Sequence, residues 1–486
     1  MEAADIEINI LTRPEERHVG DGTFTIFDSE ASPADTGLIR RLGEGTEDTD
    51  LAAPPVVLPD FCHKEKSEMP SSMAVATLGA IRPTLTDAAL NCGMALVTLD
   101  VERPNSAAIR DFYGQVVKRF PSPPNWNRDL TSAEVLRAAT EGADFAAERY
   151  DLSDAELDRI EERGRMEIDS LGGSRRAKKE LPWIVRQMGR LRFGSIGPST
   201  HFLELQEVEE VLDPEAAERL GIQAGQVTLQ FHNGGGVLTG QIGALYARRK
   251  SASGLLRTEM MVQKPLTHLA SARSRGQLAS RLSNYFSEGC TSIPMSDDDG
   301  RRALLATRLS MNYGFAYRMA TYAALRDIAK ASFGATTRLV VDSPHNSVYE
   351  EEVGGKSAFV HRHNACRAFP AEMMAGHPAF AETGQPLLLP GTNRTSSYLC
   401  IPGSDADRSL YTACHGSGSI ISDFERRGRS TTDPLGRTTA KYRYDGSAPA
   451  EVPHLDDNGV NEALGILTGH GLVRPIARMR PFAVLT

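Results

Sequence analysis

What most constrains this chain is the rhythm of its apolar segments. From Pro54 onward they are short and closed by Gly or Pro, as in AAPPVVLPDF, MALVTLDV, GQVTLQFHN, TTRLVVDS and QPLLLPG. Runs of this length with turn residues at both ends read as core strands. Helical pattern lies between them. Thr131 with Glu134, and Ser153 with Glu156, have the capping-box spacing, in which hydroxyl and carboxylate satisfy the first open backbone N–H groups of a helix. The stretch ALLATRLSMNYGFAYRMATYAALRDIAKASF is long enough for several turns, and Leu305, Leu309, Phe315, Met319 and Leu325 mark an apolar stripe along it. Strands interleaved with helices predict a mixed α/β or α+β architecture.

Length bounds the answer more weakly. At 486 residues the usual domain size suggests about three domains, yet one large domain with insertions accounts for it equally well. Residues 1–50 are rich in Glu, Asp, Thr and Gly with short apolar runs such as Phe24-Thr25-Ile26-Phe27, and predict a variable peripheral hairpin or arm that packs weakly. Residues 102–190 are Pro-rich at RFPSPPNWN, then charged and helical, then basic at Ser174-Arg175-Arg176-Ala177-Lys178-Lys179. They predict a helical insertion carried on a core, with the basic cluster as a solvated turn between helices rather than a polyanion contact.

Charge and cysteine usage narrow the function classes. A net charge of −9 repels polyanions at long range, so nucleic acid has to find a local basic patch. Six cysteines without a Cys-x-x-Cys pair argue against a disulfide scaffold and for a reducing compartment. The start MEAADIEINI is not a signal peptide, and no apolar run approaches the roughly 20 residues that span a bilayer. The expectation is a cytoplasmic protein without membrane contact.

Four histidines stand where strands meet loops. His232 ends VTLQF and precedes Asn233-Gly234-Gly235-Gly236; His345 ends LVVDSP; His201 enters an apolar strand from a glycine-spaced loop; His415 precedes a Gly-x-Gly turn. Cys92 lies in Leu90-Asn91-Cys92-Gly93. One thiolate with several imidazoles suits zinc, manganese, iron or cobalt, while a buried Cys and loop histidines without metal fit the same spacing.

The order of these segments is more specific than any one of them. LPDFCHKE, LNCGM, GPSTHFLEL, QFHNGGG, Asp342-Ser343-Pro344-His345-Asn346, Phe359-Val360-His361-Arg362 running on to Arg367-Ala368-Phe369-Pro370, Leu389-Pro390-Gly391 to Ser397-Tyr398, and Ala413-Cys414-His415-Gly416-Ser417-Gly418 follow one another along the chain. In that order, from about Leu58 to the C-terminus, they resemble the motifs of the RtcB family of RNA ligases. Those enzymes join RNA 3′-phosphate or 2′,3′-cyclic phosphate ends to 5′-hydroxyl ends.

The resemblance implies an α+β fold, a single large catalytic domain over residues 51–486 of mixed sheets surrounded by helices. It implies that Cys92, His232 and His345 bind one Mn2+ and that Cys92 and His201 bind a second, and that His415 attacks the α-phosphorus of GTP to become guanylylated. Thr200, Phe202, Glu204, Pro390, Gly391, Ser397, Tyr398, Gly416 and Gly418 would line the nucleotide site. Arg362 and Arg367 would meet RNA. The implied partners are RNA ends, from tRNA halves or broken RNA, and a nucleoside triphosphate. Further candidate phosphate contacts are Arg248-Arg249-Lys250, and Arg426-Arg427 with Arg429.

Departures from the family pattern cluster around the nucleotide. Ala89 stands where the family has a metal-binding Asp, and Asp87, on the same side if the segment is extended, is either a shifted ligand or a residue that caps or solvates the turn. Thr200 replaces an Asn, Ser419 an Arg and Arg394 a Gly; His363, Asn364 and Cys366 also differ, and the chain stops at Thr486 without a terminal Lys-Gly. A divergent paralogue is implied, with three readings: an RNA ligase of altered nucleotide or end preference, a metal-dependent phosphoesterase or nucleotidyltransferase, or a non-catalytic binder of RNA ends or nucleotides.

Overall fold

A computed structural model describes residues 16–19, 22–47, 49–63, 67–122, 129–197, 201–250, 253–289 and 291–486. Its architecture is α+β, with two large sheets and helices around them. The larger sheet runs in spatial order Thr337–Pro344, Gly93–Leu99, Val227–Asn233, Phe202–Val211, Val473–Leu485, Ser397–Pro402 and Leu387–Leu389, each neighbour antiparallel. Thr438–Tyr442 joins Val473–Leu485 in parallel and pairs with Ala450–Pro453. The smaller sheet runs Glu16–Val19, Gly22–Ile26, Val56–Cys62, Ser71–Thr77, Lys356–His363 and Asn346–Val353. Each apolar run read as a strand lies in one of the two.

Alternation along the central strands assigns their faces. Ala95, Val97, Leu203, Leu205, Leu229 and Phe231 join the main core with Phe112, Leu305, Leu309 and Phe315 from the helices Ser106–Arg119 and Asp298–Phe333. Each fully buried side chain of this size contributes about 1.5–3 kcal/mol over its exposed state. The opposite face packs Met94, Leu96 and Val208 against Leu220, Leu399 and Met479. By the same period of two, it also carries Phe202, Glu204, Gln206, Thr228, Gln230 and His232.

Both capping boxes form, at Thr131 for the helix Ser132–Glu141 and at Ser153 for Asp154–Leu157. The long helix is broader in its burial than the stripe read from sequence. Helices Ser106–Arg119, Ser132–Glu141, Ala143–Tyr150 and Gly236–Tyr246 pack around it, and Ala303, Ala306, Ala316, Ala320 and Ala323 allow their close approach. Among the described residues no helix is long and apolar enough to cross a membrane, and no disulfide joins the described cysteines.

Two expectations need correction. The N-terminal hairpin does form, but the segment is not weakly packed: Gly22–Ile26 pairs in parallel with Val56–Cys62, and Phe24, Ile26, Phe27, Ile39 and Leu42 are buried, because alternation gives the strand one apolar face. The basic cluster is a helix, Gly173–Glu180, in which Arg176 pairs with Asp298 at 2.7 Å. The helical segment is also stitched to the core, since Ile160 bridges Asp342 and the Asp342 N–H donates to the Arg159 carbonyl at 2.9 Å.

Candidate active site

The candidate site lies at the seam between the two sheets. Thr337–Pro344 belongs to the larger and Asn346–Val353 to the smaller, so the chain changes sheets at His345. The His345 N–H donates to the Cys92 carbonyl at 2.8 Å. His232 reaches the same point from the end of Val227–Asn233, and His201 from the start of Phe202–Val211.

Cys92 Sγ lies 3.2 Å from His232 Nε2, and His232 Nε2 lies 3.0 Å from His345 Nε2. The ligand atoms of these three residues fall within 4.8 Å of one another. One sulfur and two imidazole nitrogens form a donor set for a borderline divalent ion, and three protein ligands leave positions open for substrate oxygens. The residues therefore fit the expected metal. Gly234 gives Cys92 room, because a Cβ at that position would crowd its Sγ at 3.1 Å.

The second pair is thinner. His201 Nε2 lies 3.8 Å from Cys92 Sγ, and burial pushes its imidazole toward the neutral, ligating form. Asp87 does not replace the carboxylate missing at Ala89. The segment is a turn closed by Cys92 N–H to the Ala89 carbonyl at 3.1 Å, not an extended run. Asp87 Oδ1 instead accepts from the Ala89 N–H at 2.8 Å, and its Oδ2 faces His363 Nε2 at 3.7 Å. Burial would raise this carboxyl, but the hydrogen bond and charge of His363 hold it well below the usual range.

A buried Arg supports the metal cysteine from below. Arg318, fully buried in the long helix, donates to both Asp342 oxygens at 2.6 and 2.8 Å, and to the Asn91 carbonyl and side chain. Asn91 has φ 58°, a left-handed conformation that Asn tolerates better than most residues, and it turns the chain into Cys92. Sequence reasoning missed Arg318; the signal was a cation inside an apolar helical pattern.

His415 stacks on His345 with ring centroids 3.6 Å apart and planes at 15°, and its centroid is 5.2 Å from that of His232. It follows the strand Thr412–Cys414, which pairs with Ala365–Arg367, and its N–H donates to the Asn364 carbonyl at 3.3 Å. Asn364, at φ 53°, occupies a left-handed position where the resemblance has Gly. Beyond His415, Gly416 and Gly418 lead into the helix Gly418–Arg426, whose Ser419 and Ile420 N–H groups donate to Asp60 Oδ1 at 2.7 and 3.1 Å. Cys366 Sγ lies 4.0 Å from His415 Nδ1, and burial pushes its thiol up to about 12.

The nucleotide-side residues gather beside this point. Ser417 Oγ donates to the Pro390 carbonyl at 2.8 Å, tying the Pro390-Gly391 loop to the turn after His415. Gly391 admits no side chain, since a Cβ there would meet the Ser396 carbonyl oxygen at 2.1 Å. Its N–H donates to Ser397 Oγ at 3.1 Å, and Tyr398 Oη donates to Asn461 at 2.6 Å. Gln206 donates to Glu204 at 3.0 Å, while burial pushes the Glu204 carboxyl up to about 7. Gln206 Oε1 and Gln230 Oε1 are buried on this face without a hydrogen-bond partner among the described residues. Phe202 lies beside His232 with ring centroids 5.6 Å apart. Thr200 lies outside the described residues.

Arg362 and Arg367 are not placed to meet RNA. Arg362 is fully buried in a bidentate pair with Glu351 at 2.7 and 2.8 Å, and Arg367 binds Glu162 at 2.6 Å and Gln385 at 3.0 Å between the rings of Tyr349 and Phe369. The Arg362 fork is spent on protein acceptors, and Arg367 is held through Nε and Nη1. Arg394 turns outward to Glu425 at 2.8 Å, and Arg426 and Arg427 pair with Asp423.

Comparison with known proteins agrees with this geometry. Residues 50–486 match the family described as tRNA-splicing ligase RtcB. The tRNA-splicing ligase RtcB of Thermococcus kodakarensis is 28% identical over 433 residues, covering 84% of this chain and 82% of that protein. The RNA-splicing ligase RtcB of Mycobacterium tuberculosis is 26% identical over 419 residues, 83% of this chain and 89% of that protein. The tRNA-splicing ligase RtcB of Pyrococcus horikoshii is 27% identical over 414 residues, which are 81% of this chain but 44% of that protein, so the chain spans less than half of its length. With a family match over nearly the whole chain and the family's metal and histidine motifs converging at one seam, the chain belongs to the RtcB family.

Proposed function

We propose that the protein is an RNA ligase that joins RNA 3′-phosphate or 2′,3′-cyclic phosphate ends to 5′-hydroxyl ends through a nucleotidylated His415, using GTP and Mn2+. The observation that carries this reading is the His415 imidazole stacked at 3.6 Å on His345, one of three residues whose donor atoms converge on a single point. Cys92, His232 and His345 would hold the metal, which when bound offsets negative charge developing on phosphate oxygens. A neutral His415 nitrogen attacks the α-phosphorus of GTP in line, forming the N–P bond as the bond to pyrophosphate breaks. The RNA 3′-phosphate oxygen then displaces His415, and the 5′-hydroxyl attacks the activated end to release GMP. Glu204 accepts from the guanine edge, and the buried oxygens of Gln206 and Gln230 offer further acceptors on the same face.

Incubation with Mn2+ and α-labelled GTP, followed by a denaturing gel, tests it. Label should stay on the wild-type chain and disappear in His415→Ala, while metal binding remains nearly intact. Labelling that persists in the variant excludes His415 as nucleophile. One observation favours the metal-dependent phosphoesterase as a second reading: Ala89 leaves the Cys92–His201 pair without the family's carboxylate. In that case the protein releases phosphate from 3′-phosphorylated RNA without ever becoming labelled.

A further inference from the structure

The far end of the helix Gly236–Tyr246 opens on a cavity of about 960 Å³ that none of this chemistry uses. Six cationic side chains line it, Arg41, Arg248, Arg249, Lys250, Arg257 and Lys264, against the carboxylates of Glu44, Glu68 and Glu288. In a chain of net charge −9, this is a local excess of positive charge. Two of the cations are answered, since Arg249 pairs with Glu68 at 3.3 Å and Arg248 with Glu288 at 2.6 Å. Among the described residues no carboxylate pairs with Lys250, Arg257 or Lys264.

Lys264 is the telling group. Its ammonium is buried and, among the described residues, donates to the carbonyls of Ala247 at 2.8 Å and Tyr285 at 2.7 Å, which use two of its three N–H groups. Burial, together with the Arg249 and Arg248 charges, pushes it down to about 7. The rest of the wall is apolar and soft, with Met69, Met260, Met261 and Phe286, the last beneath the ammonium at 5.5 Å. Unpaired cations beside a flat apolar wall match a phosphate ester joined to a base.

We propose that this cavity is a second nucleotide-phosphate site, distinct from the His415 centre, which takes either a phosphodiester of an RNA strand or a free nucleotide. The helix that runs from the turn after His232 toward the cavity has 11 residues and is about 16 Å long at about 1.5 Å per residue. Only the choice of RNA as a source rests on the ligase reading.

The test measures binding of a short 3′-phosphorylated single-stranded RNA, with GMP as competitor, by fluorescence anisotropy over a salt series. Lys250 and Arg257 are exposed, so Lys250→Glu with Arg257→Glu should fold normally. That variant should lose affinity at least tenfold, with a salt slope shallower by about 1.4 for two lost phosphate contacts. Competition by GMP at the cavity identifies a free nucleotide as occupant; its failure while RNA binding remains sensitive to the substitutions identifies the strand. Affinities for both probes unchanged in that variant and in Lys264→Met would overturn the proposal. His415 labelling of the wild-type protein needs no RNA and is read in parallel, so failure of the ligase reading shows separately.

Discussion

On the proposed ligase reading, Glu204 would link nucleotide choice to pH through one side chain. Burial pushes its carboxyl up to about 7, so it is neutral below that pH and an acceptor-only carboxylate above it. Guanine offers ring and exocyclic donors to the ionised form. Labelling at subsaturating GTP is therefore expected to rise as pH increases through about 7, and Glu204→Gln should remove that rise. Stability runs the other way. A folded-state pKa above the unfolded one contributes stability that is present below the ordinary carboxylate range and lost as pH rises through about 7. Glu204→Gln should thus gain stability relative to wild type in urea unfolding at pH 8, and an equal difference at pH 5 and pH 8 would refute the assignment. Residue identity made Glu204 legible in the sequence; its raised pKa comes from the surrounding sheet.

At the scale of elements, Cys92 depends on a helix that lies outside the Cys92–His232–His345 cluster. Arg318 fixes Asn91 and Asp342 from the centre of Asp298–Phe333, and both members of the Arg318–Asp342 pair are fully buried. Removing one member leaves an uncompensated buried charge, which costs about 3–5 kcal/mol, whereas replacing both with apolar side chains often costs little. Arg318→Met should therefore lower unfolding free energy by about 3–5 kcal/mol and weaken metal binding, and Arg318→Met with Asp342→Leu should recover much of the stability but not the Cys92 geometry. Urea unfolding and metal titration of the two variants check this. A pattern of apolar residues announces such a helix, but an arginine inside the pattern names no partner. Arg362 and Arg367 show the same gap, since Glu351 and Glu162 answer them from distant segments.

Across the whole molecule, the site is a joint. His345 lies where the chain passes between sheets, so a metal held by Cys92, His232 and His345 ties the two together only in the folded state. Binding to the folded state alone stabilises by about 2.7 kcal/mol at a free concentration one hundred times Kd. Mn2+ should accordingly raise the thermal midpoint of metal-free protein, and His345→Ala should abolish the rise. A wild-type midpoint indifferent to Mn2+ would remove the metal assignment.

From its own residues the sequence determined what is local. Strand-length apolar runs, both capping boxes and the histidines at strand ends follow from side-chain period and turn chemistry within a few residues, and the structure bears them out. The order of the motifs carried the family, which the comparisons show. Tertiary structure alone decided the rest. It turned Asp87 toward His363, spent Arg362 and Arg367 on carboxylates from distant segments, packed the N-terminal hairpin into a sheet and brought Lys264 to a cation-rich cavity. The reason is that charge pairing and burial depend on which distant segments meet, and a residue's neighbours in the chain are not its neighbours in space.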